Sequence, residues 1–118
     1  MNWHSLISLD QLADIKQQSF EKNVIIFKHS TRCSISRTTL DRLERNWNAG
    51  EMAEVAPYFL DLIAHREVSN QVAEMFDVPH ESPQVLVIHK GKSVYDASHF
   101  DIDYNEIKKL VKGQPVTN

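Results

Sequence analysis

Cysteine is the scarcest informative residue of this chain: there is one, Cys33, among 118 residues. A lone thiol closes no internal disulfide, so the chain is not a stapled secreted domain, and a reducing cytoplasmic setting is expected. With no Cys-x-x-Cys, and with six histidines scattered away from ligand spacing, no metal site is expected. Glycine and proline are also sparse, at three and four residues, which excludes collagen-like and low-complexity chains. The glycines lie far apart, so no phosphate-cradling loop is encoded. Long apolar runs are missing; the longest, Val24 to Phe27 and Val85 to Ile88, are far too short to span a bilayer. The opening residues carry no basic region followed by a long apolar core, so no secretory signal is expected. Charge of one sign is absent too: a net charge of -3 provides no field for wrapping nucleic acid.

What is present reads as one soluble domain over residues 1–113, with a frayed tail at 114–118. At this length roughly two-thirds of the unfolded surface can be buried without staples. Ser8 and Gln11 form a capping box, with Ile7 and Leu12 placed for an apolar staple, and the spacing predicts a helix from there to about Phe20. Val24-Ile25-Ile26-Phe27 is β-branched and aromatic without alternation, the pattern of a strand covered on both faces. Leu40, Leu43 and Trp47 mark a second helix ending near Asn48 to Gly50. A run from Val55 to Leu62 follows, where Pro57 suits an early or edge position. Val68, Val72, Met75 and Phe76 trace a helix over about His65 to Asp77. Gln84 to His89, the turn Lys90-Gly91 and Lys92 to Tyr95 make a hairpin. The last helix opens at Asp103, presents Ile107, Leu110 and Val111, and stops at Gly113. A short strand near Trp3 to Leu6 completes the list. The order predicts an α/β fold, with a central mixed β-sheet flanked by helices on both faces.

Cys33 sits where the polar segment His29-Ser30-Thr31-Arg32 turns from strand into helix. A thiol there meets unpaired backbone N–H groups and the positive end of the helix dipole, which favour thiolate over thiol. A lone cysteine is more commonly a small buried hydrophobe. This one occupies a polar turn between Thr31, Arg32 and Ser34 rather than an apolar stripe, so the reactive reading leads. Ser36 stands where a dithiol oxidoreductase carries its second sulfur, and has two readings: a hydrogen-bond donor to the Cys33 sulfur, or a simple first-turn polar residue. Arg32 and Arg37 either add positive potential or point into solvent. His29 is either an assisting base or a hydrogen-bonded structural residue. Ser82-Pro83 precedes a buried strand, and a cis bond there would expose the backbone of Ser82 to an extended thiol substrate. The candidate site is therefore Cys33 and Ser36, with Thr31, Arg32, Ser34, Ser82 and Pro83 as substrate contacts.

Phe27-Lys28-His29-Ser30-Thr31-Arg32-Cys33-Ser34-Ile35-Ser36, followed by Ser82-Pro83-Gln84-Val85, resembles the YtxJ-like proteins of the bacillithiol system, the monothiol bacilliredoxins. The similarity runs from about Trp3 to Gly113. It implies a thioredoxin-like fold in which Cys33 attacks protein–bacillithiol mixed disulfides, takes the thiol onto itself and is regenerated by another thiol. It also implies that Pro83 is a cis-proline facing the cysteine. Bacillithiol then acts as co-substrate and no cofactor is bound; the partners are a low-molecular-weight thiol and S-thiolated client proteins. The family usually has Pro directly after the cysteine, whereas this chain has Ser34. Two other readings exist. One is a non-enzymatic adaptor of the same fold, encouraged only by Ser34. The other is an iron–sulfur monothiol glutaredoxin, which would carry Cys-Gly-Phe-Ser and a Gly-Gly that this sequence lacks.

Overall fold

The computed structural model describes residues 1–115. Along them run β1 (His4–Ser5), α1 (Leu9–Gln18), β2 (Asn23–His29), α2 (Ser34–Asn46), β3 (Val55–Asp61), α3 (Arg66–Phe76), β4 (Gln84–His89), β5 (Lys92–Ser98) and α4 (Tyr104–Gly113). A 3-10 turn at His99–Asp101 precedes α4. The strands form one sheet in the order β1-β3-β2-β4-β5. β1 and β2 are parallel to β3, while β4 is antiparallel to β2 and to β5. The expected mixed sheet is present.

The apolar run Val24–Phe27 reflects the central place of β2: all seven of its residues are buried. Val24 and Ile26 face one core with Leu12 and Ile15 of α1 and Val68, Val72 and Phe76 of α3. Ile25 and Phe27 face the other with Leu40 and Leu43 of α2 and Ile107 and Val111 of α4. Each such side chain contributes about 1.5–3 kcal/mol on burial, and helices therefore cover both faces.

Local signals mostly place the element ends. Gln11 N–H donates to Ser8 Oγ at 3.2 Å, while Gln11 Oε1 accepts from Ile7 N–H at 2.8 Å. The staple is not made: Ile7 is 56% exposed, and Leu6 takes the buried place in the core that holds Leu12. α1 ends at Gln18, short of Phe20, and α2 at Asn46, because Trp47 already has extended backbone. Trp47 instead packs near Tyr104 and Trp3. Pro57 pairs with Ile25 of β2, and β1 covers only Tyr58 and Phe59, so the far side of Pro57 is an open edge. Lys90 and Gly91 both have positive φ, 50° and 81°, as a tight two-residue hairpin turn requires. A Cβ at Gly91 would also stand 3.0 Å from the Phe20 ring. Of the tail expected to fray, residues 116–118 lie outside the described residues. Gln114 is held, its carbonyl accepting from Asn23 Nδ2 at 2.9 Å.

One residue of β2 brings an amine into the core. Lys28 follows Val24 and Ile26 at period two on the α1/α3 face and is 0% exposed. Its Nζ donates to the Ser69 carbonyl and to His80 Nδ1, each at 3.3 Å. Burial pushes its pKa down to about 8. Below that pH both folded and unfolded chains hold the proton, and the full cost of burying the charge is present. Between about 8 and 10.5 the unfolded chain holds more protons, so raising the pH relieves the cost. Lys28→Met is thus expected to match or exceed the wild type in stability below pH 8, by up to about 3 kcal/mol. The difference should shrink as pH rises to 10.5. Urea unfolding of both proteins across this range checks it, and a gap that widens with pH contradicts it.

Candidate active site

β2 ends at His29, and Ser30, Thr31 and Arg32 turn the chain into α2. Cys33 is the N-cap of that helix, with extended φ of -114° and ψ of 118°, one residue before its first turn. Its N–H donates to the Ser30 carbonyl at 3.2 Å, and its carbonyl accepts from Arg37 N–H at 3.2 Å. No side chain caps the helix, and no acidic residue lies in its first turn. The first-turn N–H groups thus have no side-chain partner, and the half-buried Cys33 stands at the positive end of the helix dipole. Thr31, Arg32 and Ser34 are exposed around it. Arg37 is exposed as well and lies 3.9 Å from Asp41, so it belongs to the solvated surface.

Ser36 takes a place that neither sequence reading described. It is 0% exposed, and its Oγ accepts from Ser30 N–H at 3.1 Å and lies 2.7 Å from His29 Nδ1. These bonds run to the turn and the strand end, beneath the thiol, and knot the two together. His29 is 2% exposed, with its ring 5.4 Å from that of Phe59. Burial first, then Arg37, pulls its pKa below the usual imidazole range, against the opposing pull of Asp61, Asp41 and Glu44. His29 is therefore a neutral, hydrogen-bonded residue of the scaffold, and its Nε2 is buried without a partner.

The β2–β4 ladder pairs Lys28 with Gln84, so Pro83 falls opposite His29, where the chain leaves for the cysteine turn. The Ser82–Pro83 bond is cis. The Pro83 carbonyl accepts from His99 N–H at 2.9 Å. Arg42 of α2 in turn donates to the carbonyls of Phe100 and Ile102, linking the cysteine's helix to the proline's loop. Among the described residues, Ser82 makes no backbone hydrogen bond of the kind that holds its neighbour, and its Oγ is buried without a partner. Both sequence-predicted segments thus meet at one end of the sheet, where β2 finishes and β4 begins.

Sequence reading missed the polar cluster on the opposite face, Lys28, Ser69, His80 and Gln84. The available signal was period: a strand covered on both faces must bury residue 28 along with residues 24 and 26. Among the described residues, no group of three or more His, Cys, Asp or Glu is placed to hold a metal ion. None of the described helices is long and apolar enough to cross a membrane.

Ser36→Ala leaves the Ser30 N–H and His29 Nδ1 buried without partners. It is expected to lower stability by roughly 1–3 kcal/mol, measured by urea unfolding; an unchanged midpoint would show that the knot holds nothing.

Comparison with known proteins agrees with this geometry. The family profile described as monothiol bacilliredoxin BrxC matches residues 4–107. A solved protein described as a candidate oxidoreductase with a thioredoxin fold is 28% identical, with 89% of each chain covered and a TM-score of 0.75. Thioredoxin of Malassezia sympodialis superposes with a TM-score of 0.74 at 14% identity, covering 96% of this chain and 90% of that one. Thioredoxin of Fasciola hepatica gives 0.69 at 17% identity, covering 95% and 99%. The fold is that of thioredoxin, and the chain belongs to the monothiol bacilliredoxin family.

Proposed function

We propose that this protein is a monothiol thiol–disulfide oxidoreductase that removes bacillithiol from protein mixed disulfides. The observation that carries the reading is the only cysteine of the chain standing at an uncapped helix start, with no acidic residue in the first turn, in a bacilliredoxin.

The Cys33 thiolate attacks the bacillithiol sulfur of the client's mixed disulfide. The client–bacillithiol S–S bond breaks, a Cys33–bacillithiol bond forms, and the client thiolate leaves to take a proton from solvent. A second small-thiol thiolate then attacks the bacillithiol sulfur on Cys33, releasing a small-molecule disulfide and restoring Cys33. The resolving thiol must come from outside, because Ser36 carries no sulfur and its hydroxyl is engaged below the turn. Thr31, Arg32 and Ser34 offer exposed contacts around the thiol, and the free backbone of Ser82 beside Pro83 offers an edge to an extended client segment. Proline at position 34 would lack an N–H, whereas Ser34 adds one to the first turn beside Cys33. The reducing cytoplasm is where such exchange would run.

Intact-mass measurement after incubation with bacillithiol disulfide or glutathione disulfide tests the reading. The expected outcome is one bacillithiol added to the wild type, much faster than glutathione, and none added to Cys33→Ser. Equal sluggishness toward both would overturn it and favour the non-enzymatic adaptor.

A further inference from the structure

We propose that Lys28 is a positioning residue for this exchange: its buried ammonium pins the segment Pro79–Pro83 from beneath and thereby sets the Ser82 backbone against Cys33. The inference rests on the function proposed above.

The geometry is as follows. Lys28 Nζ bridges the Ser69 carbonyl on α3 and His80 Nδ1 on the segment, both at 3.3 Å. Ser69 Oγ lies 3.4 Å from the same His80 nitrogen. Gln84, directly across the ladder from Lys28 and 1% exposed, donates through Nε2 to the Pro79 carbonyl at 3.1 Å. From the other side His99 N–H holds the Pro83 carbonyl at 2.9 Å, and the His99 ring lies 3.6 Å from Glu81. Residues on either side of Ser82 are therefore tied, and Ser82 itself is left unpaired. Stability does not call for a lysine at a buried position of β2: an apolar side chain of similar length generally serves a core as well or better. A charged residue there has its use in holding the segment, since only a donor can reach both the helix carbonyl and the His80 ring. The retained polarity continues in Gln84, whose Oε1 is buried without a partner beside it.

Three proteins test this: Lys28→Met, His80→Ala and the double variant. Two rates are compared with wild type: alkylation of Cys33 by iodoacetamide, and transfer of bacillithiol from a peptide mixed disulfide. The small reagent needs only the thiol, whereas the peptide also needs the Ser82 edge. Alkylation is expected to be unchanged. Transfer is expected to fall about tenfold in either single variant, chiefly through a higher KM, because a displaced Ser82 backbone binds the peptide less well. The double variant should lose no more than a single one, since both break the same contact. Wild-type transfer rates in the variants would overturn the inference, as would alkylation and transfer falling together. If Lys28→Met fails to fold, His80→Ala decides alone, because His80 lies in an exposed loop. A wild type that transfers no bacillithiol would instead overturn the proposed function itself, so the two failures are distinguishable.

Discussion

Burial of β2 on both faces is the constraint from which the site follows. Its seven residues are enclosed between α1 and α3 on one side and α2 and α4 on the other, and β3 and β4 flank it in the sheet. A strand so enclosed has one register, because a slip of one residue would exchange its two faces. Fixing that register also fixes what leaves its C-terminal end. His29 is directed to the α2 face and Lys28 to the α1/α3 face, and the chain exits between them toward Cys33.

Two polar devices use that geometry. On the α2 face, Ser36 joins Ser30 to His29 and anchors the turn in which the cysteine stands. On the other face, Lys28 and Gln84 reach the segment that ends in Pro83. Each places polar groups in the interior, where an unmet hydrogen bond is costly. The two devices hold the two segments that meet at the end of β2, one carrying the thiol and the other the backbone of Ser82. The Cys33 side chain makes no capping hydrogen bond to its own helix, so the first-turn N–H groups keep no side-chain partner.

The elements were legible because their signals are local. The Ser8 cap, the positive-φ turn at Lys90-Gly91, the stop at Gly113 and the apolar run of β2 depend on neighbours along the chain. Cys33 was legible as the one thiol in a polar turn. Roles that depend on register were harder to read. Whether Ser36 faces the sulfur or the scaffold depends on where His29 lies across the turn, and a lysine adjoining a polar segment does not look buried until both neighbouring strands are in place. The Ile7 staple failed for a similar reason: β1 pairs with β3 through His4 and Ser5, which sends Leu6 into the core and leaves Ile7 outside.

The most direct measurement is a single-turnover reaction of the reduced protein with one equivalent of a bacillithiolated client protein, following both partners by intact mass. Monothiol exchange at Cys33 requires that one bacillithiol appear on this chain for each free thiol regenerated on the client. A client that keeps its bacillithiol, or one that is released with no mass gained at Cys33, would contradict it.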